Sequence, residues 1–171
     1  MFTDPVKNLK ALGLRESDIV VDLGAGTGFY SIAAAKIVTQ GKVYSIEVQK
    51  DYLMTIGEKA RDAGVGNVEC LWGDIEKIGG TKIGNNIADA CLVSNVLSQL
   101  EEKEKFVEET KRILKPSGKV LLVDWSDSST FPLKNIIQKD KARAMFEKSG
   151  FVFERDIDAG EHHYGMILMK Q

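Results

Sequence analysis

The 171 residues and an apolar share of 43% suffice for one domain with a full hydrophobic core and leave little for a second. A formal net charge of −2 argues against a large nucleic-acid footprint, which shows as a basic excess. The start, Met1-Phe2-Thr3-Asp4-Pro5, has no charged stretch followed by an apolar core, so no signal peptide is expected, and no apolar run reaches the length of a membrane span.

Apolar runs alternate with helical periodicity, the pattern of a parallel sheet with helices on both faces. A short helix over 5–12 precedes a first strand over 18–23, three glycines, and a helix over 28–38. A strand over 42–47 leads to a helix over 50–63, with Leu53, Ile56 and Ala60 on one face and Gly64 as its stop. A third strand over 67–72 is followed by 79–86, whose glycines and asparagines read as a mobile connection. A fourth strand over 87–94 precedes a helix over 101–114 that places Phe106, Thr110, Ile113 and Leu114 together and ends before Pro116. A strand over 119–125 and a helix over 139–149 carrying Ala142, Met145 and Phe146 follow. The basic residues of 134–143 read as a solvated helix face. Strands over 151–157 and 163–169, joined by a short turn at 158–161, form an antiparallel hairpin. That turn falls at the carboxyl ends of the core strands, the ligand end of such a sheet.

The densest chemical signal is Asp22-Leu23-Gly24-Ala25-Gly26-Thr27-Gly28-Phe29-Tyr30, where a strand runs into alternating glycines and a helix opens beyond them. Glycine suits a backbone that must turn tightly and approach a ligand. A dinucleotide loop would read G-x-G-x-x-G; Phe29 stands where its third glycine belongs, which disfavours a nicotinamide dehydrogenase. Glu47 ends a strand about 20 residues beyond the loop, the spacing at which an acid meets a ribose diol, and a carboxylate accepts from both hydroxyls.

The D-x-G-x-G-x-G form resembles motif I of the class I S-adenosylmethionine (SAM)-dependent methyltransferases, and the likeness continues along nearly the whole chain. Val43-Tyr44-Ser45-Ile46-Glu47 is similar to the family's second strand with its ribose-binding acid. Gly73-Asp74-Ile75-Glu76 resembles the loop whose acid reads the adenine amino group, with Ile75 against the adenine. Asp89 stands where the family often opens strand four with an aspartate. The run Leu114-Lys115-Pro116-Ser117-Gly118-Lys119 resembles the turn before strand five. The resemblance implies a Rossmann-like α/β fold: a seven-stranded sheet of order 3-2-1-4-5-7-6 with an antiparallel last strand, forming a single domain over 1–171. It implies SAM as cofactor, held by Asp22, Gly24, Ala25, Gly26, Thr27, Gly28, Tyr30, Glu47, Val48, Gly73, Asp74, Ile75 and Asn95. In that strand order Cys70 and Cys91 are not neighbours, so two reduced thiols and a cytoplasmic setting are expected.

The segment after strand four, Ser94-Asn95-Val96-Leu97-Ser98-Gln99-Leu100, has no N/D-P-P-Y/F motif, which lowers base and glutamine amines as acceptors. It resembles the small-molecule, quinone-biosynthesis type, although histidines often found there are replaced by Ser98 and Gln99. Asn95 in place of an aspartate leaves a catechol-type metal site unsupported, and no metal is expected. His162, His163 and Tyr164 open the return strand of the hairpin and are candidate catalytic groups, since histidine titrates near neutrality. Alternation places His162 and Tyr164 on one face and His163 on the other. The expected activity is methyl transfer from SAM to a small-molecule acceptor. A protein or RNA acceptor, or a non-catalytic SAM-binding protein, remains open, as does the oligomeric state.

Overall fold

Short strands with nearly continuous apolar sequence are stable only when both sheet faces are covered, and the computed structural model arranges them so. It describes residues 3–126 and 135–171; Met1, Phe2 and Lys134 of the basic run lie outside these. In chain order the elements are α1 (Pro5–Leu12), β1 (Ile19–Leu23), α2 (Phe29–Ala35), β2 (Lys42–Glu47), α3 (Lys50–Asp62), β3 (Val68–Trp72), β4 (Ala88–Ser94), α4 (Lys103–Ile113), β5 (Leu114–Trp125), α5 (Lys139–Lys148), β6 (Phe151–Ile157) and β7 (His163–Lys170). The seven-stranded sheet has the order β3-β2-β1-β4-β5-β7-β6. β1 pairs in parallel with β2 and β4, and β7 pairs antiparallel with both β5 and β6. Strand order and the antiparallel β7 match the Rossmann-like expectation.

Two apolar layers sandwich the sheet. On one face Leu9 and Leu12 of α1 and Ala34 and Ala35 of α2 pack on Val20, Val43, Leu92 and Leu121. On the other, Phe106 and Ile113 of α4 and Phe146 of α5 pack on Val21, Val93, Leu122 and Met166. Phe106 meets Phe146 edge to face at 6.5 Å, and Phe146 meets Phe151 at 5.3 Å. Of the helical faces expected from the sequence, Ile56 and Ala60, Phe106, Thr110 and Ile113, and Ala142 and Phe146 are buried, Leu53 and Met145 are half-buried, and Leu114 opens β5 instead of ending α4. On α5, Lys139 pairs with Asp156 at 2.7 Å and Arg143 with Glu147 at 2.9 Å.

The structure corrects two local expectations. α2 ends at Ala35, three residues early, where Lys36 serves as its C-cap. The connection 79–86 is not a loose one: Thr81 is fully buried and Ile83 is 6% exposed. Glu109 on α4 holds it, accepting from the amides of Gly79 at 2.8 Å and Thr81 at 3.3 Å and from the Thr81 hydroxyl at 2.6 Å. Glycine content signalled flexibility, but a buried carboxylate on a distant helix supplied the partners that fix the turn.

Candidate active site

The strand order reverses between β1 and β4, which opens a crevice at their carboxyl ends, the ligand position of open α/β sheets. A cleft of about 450 Å³ lies there. Asp22, Gly24, Ala25, Gly26, Thr27 and Tyr30 line it from the first strand–helix junction; Glu47 and Val48 from β2; Asp74 and Ile75 from the loop after β3; and Asn95 from the end of β4. Eleven of the thirteen residues expected to hold the cofactor therefore share one cavity.

Gly28 and Gly73 are not among its lining residues. Gly28 has a φ of +80°, and a Cβ there would sit 2.9 Å from Ile56, so it allows α3 to close on α2. Gly73 is packed so tightly that a Cβ would come within 2.6 Å of the Gly80 carbonyl. Gly26 differs from both. Its φ is +52°, and a Cβ built on it would meet nothing within 4 Å. Its backbone is exposed to open cleft, where a ligand can approach it.

The loop is fastened at both ends. The amides of Gly24 and Ala25 both donate to the Ile46 carbonyl at 3.0 Å. Glu47, 7% exposed, reaches across from β2. It accepts from the Gly26 amide at 2.9 Å, and from the Val48 and Gln49 amides at 2.8 and 3.0 Å. At the other side Asp74 accepts from the Glu76 amide at 3.0 Å and pairs with Lys77 at 2.9 Å. The Lys77 hydrogen bond holds the Asp74 carboxyl below the usual range. Asn95 sits at a positive φ of +55°. Its amide donates to Val123 at 2.9 Å, its carbonyl accepts from Gln99 at 2.8 Å, and its buried side-chain oxygen has no partner among the described residues.

Asp22 is 2% exposed and accepts from the Ser31 hydroxyl at 2.6 Å. Burial lifts its carboxyl to about 6, against the Ser31 hydrogen bonds and with a smaller push from Glu47. The unfolded chain therefore releases this proton first, and the group takes up to about 3 kcal/mol from stability as pH rises from about 4 to about 6. Asp22→Asn is expected to flatten that part of the pH–stability profile in denaturant titrations. Parallel profiles for the two proteins would show that Asp22 carries no such burial cost.

Further residues reach the cleft that the sequence did not single out as ligands. Val96, Gln99 and Leu100 come from the turn after β4, Glu76 from beyond Asp74, and Tyr52 from α3. Val96 and Leu100 carried a weak signal, as apolar positions just beyond a strand end. Thr3 carried none: it enters because its hydroxyl meets Tyr30 Oη at 3.1 Å, while Asn8 Nδ2 donates to the same oxygen at 2.7 Å.

His162, His163 and Tyr164 do not line this cleft among the described residues. His163 is buried, tilted against Trp125 with ring centroids 4.2 Å apart, and neither ring nitrogen has a hydrogen-bond partner among the described residues. Burial, with a smaller contribution from His162, lowers its proton affinity. Tyr164 packs with the Phe106 layer and donates to the Ile137 carbonyl at 3.0 Å. Burial raises its phenol above the usual range. Tyr164 and His163 thus face opposite sides of the sheet, as strand alternation requires. Among the described residues no cluster of three or more His, Cys, Asp or Glu is arranged to hold a metal ion, and no helix is long and apolar enough to cross a membrane.

Known proteins share this architecture. A SAM-dependent methyltransferase from Aquifex aeolicus superposes with a TM-score of 0.88 at 30% identity, covering 99% of this chain and 91% of that one. The cyclase SpnF superposes at 0.80 with only 14% identity, a likeness of fold alone. A ubiquinone/menaquinone biosynthesis C-methyltransferase from Photorhabdus laumondii is 30% identical over 158 residues, 91% of this chain but 61% of the relative's length. Residues 14–166 match the family described as Methyltransferase domain. A glycine loop, a strand-end acid and a crevice at the switch point are thus found in a chain that belongs to the SAM-dependent methyltransferase family.

Proposed function

We propose that the chain, acting as one domain, transfers a methyl group from SAM to a small-molecule acceptor of the hydroquinone class. The observation that carries this is the convergence of Glu47 on the Gly26 amide at 2.9 Å, beside open space above Gly26. An acid and a bare backbone at one strand junction fit a ribosyl ligand with an extended amino-acid arm. In this reading the glycine loop with Asp22 holds the methionine portion, Glu47 the ribose hydroxyls, and Asp74 with Ile75 the adenine. SAM would supply, when bound, a methyl on a positively charged sulfur; an acceptor nucleophile would bond to that methyl carbon as the carbon–sulfur bond breaks and S-adenosylhomocysteine leaves. The chain's own contribution is alignment of the two partners and exclusion of water by Val96, Leu100 and Ile75.

The charge of the cleft supports a small acceptor. Asp22, Glu47, Asp74 and Glu76 line it, and no Lys or Arg among the described residues does. Such a surface suits a cationic cofactor and a neutral acceptor and repels a phosphate backbone. The name of the Photorhabdus relative points to carbon methylation of a quinone precursor. His162, His163 and Tyr164 do not line the cleft, so none of them is proposed to take the acceptor's proton. A cytoplasmic setting is part of this reading and is supported by the unbridged Cys70 and Cys91.

The test is incubation of the chain with methyl-labelled SAM and separate panels of hydroquinones, proteins and RNA. Label is expected on a ring carbon of a hydroquinone. Gly26→Val, whose branched side chain would enter the open space above the loop, is expected to lower transfer by about 100-fold or more while the fold persists. Label in protein or RNA alone, or no turnover with any panel, would overturn the reading.

A further inference from the structure

Behind the glycine loop lies a polar chain that the proposed chemistry does not itself use. The Ser45 hydroxyl, on β2, donates to the Ser31 hydroxyl at 2.7 Å, and Ser31, on α2, donates to Asp22 Oδ2 at 2.6 Å. Both serines are fully buried. A buried hydroxyl pair in an otherwise apolar layer is costly unless each member is satisfied. Here the sheet interior spends two such groups in series on one carboxylate. β1 and β2 are adjacent, with Asp22 in register with Ser45, so the relay spans the two strands whose ends bear the glycine loop and Glu47.

The direction of the relay is informative. Each hydroxyl gives its proton toward Asp22, an arrangement that favours the ionised carboxylate. Other neighbours work against ionisation. Glu47 on β2 repels the charge, and Asp22 in turn raises the proton affinity of Tyr30 on α2 and Cys91 on β4. Burial is the largest part of this opposition, and Glu47 the smaller. Asp22 therefore stands close to a balance that a cation entering the cleft can tip.

We propose that Ser31 and Ser45 are positioning residues that aim Asp22 at the glycine loop, and that filling the cleft with a cationic cofactor is linked to release of the Asp22 proton. The proposal rests on the SAM reading of the cleft given above. Its consequence is a pH dependence of binding that is separate from any proton removed from the acceptor. With Asp22 half-protonated near pH 6, affinity for SAM falls about tenfold between about pH 7 and about pH 5.

Calorimetry of SAM binding to the intact chain, in buffers of different ionisation enthalpy, counts the protons directly. The wild type is expected to release about half a proton at about pH 6 and about a tenth at about pH 7. Ser31→Ala is expected to move the midpoint of the affinity profile up by about one unit, Ser45→Ala by less, and Ser31→Thr, which restores the hydroxyl, back toward the wild type. Binding to the wild type without proton release at about pH 6 overturns the linkage and leaves the SAM reading standing. Weaker binding by Ser31→Ala at every pH, with an unmoved midpoint, shows a merely structural role and overturns the positioning. No SAM binding by the folded wild type at about pH 7 overturns the underlying reading and the proposal with it. Should Ser31→Ala fail to fold, the wild-type proton count and the Ser45→Ala profile decide.

Discussion

Replacing Glu109 by Ala is expected to lower the stability of the fold by about 3 kcal/mol, or about 6–12 °C in melting temperature. Glu109 is 1% exposed and bonded on both oxygens. Arg112 donates from Nε at 2.7 Å to one and from its terminal nitrogen at 2.7 Å to the other. The amides of Gly79 and Thr81 and the Thr81 hydroxyl complete the set. Burial alone would raise this carboxyl, but those donors outweigh it and hold it at about 2. Because its native proton affinity is depressed, its contribution is present above the unfolded value near 4.5 and is lost as pH falls toward about 2. The truncated variant leaves Arg112 half-buried without its carboxylate partner, still held by Asn85 and the Ile83 carbonyl, and frees two backbone amides. Denaturant titration measures the loss, and hydrogen exchange at Gly79 and Thr81 should quicken. A change below about 0.5 kcal/mol would mean that the connection 79–86 is held by its apolar contacts alone.

Glu47→Ala is expected to weaken binding of SAM and S-adenosylhomocysteine by about tenfold or more, as loss of a charge-assisted hydrogen bond costs about 1.5–3 kcal/mol. The geometry adds a second route to the same loss. The Glu47 carboxylate is the only acceptor drawn across from β2 to the Gly26 amide among the described contacts, so its removal also loosens the loop. Glu47→Gln separates the two effects: one amide oxygen can still accept from backbone N–H groups, while the charge is gone. Calorimetry on folded variants decides the matter, and unchanged affinity in both would remove Glu47 from the site.

The parts of this protein legible in the sequence are those governed by local rules. Alternating glycines after an apolar strand can serve few purposes, and the Asp22–Gly28 junction does lie at a crevice. Glu47 follows from its strand-end spacing, and Asp74, Ile75 and Asn95 follow from the family resemblance; all four line one cleft. Helix faces followed from periodicity, because a helix buries residues at fixed intervals whatever it packs against. Loop partners do not obey such a rule. The glycines of 79–86 read as freedom, since nothing local reveals that Glu109, far along the chain, will close on them. Thr3 reached the cleft only because α1 carries Asn8 against Tyr30.

The hairpin shows the same division. Alternation correctly separated His163 from Tyr164, but which groups each would touch was decided by neighbouring strands and helices. β5 put Trp125 in register with His163, and the Ile137 carbonyl took the Tyr164 hydroxyl. By itself the sequence determined the order of elements, the family's loop and acids, and the faces to be buried, all of which depend on residues close together in the chain. Tertiary structure alone decided that Ser31 and Ser45 would meet behind Asp22, and that Gly28 and Gly73 would serve packing instead of lining the cleft. Those outcomes depend on distances between segments that folding brings together, and no local pattern encodes them.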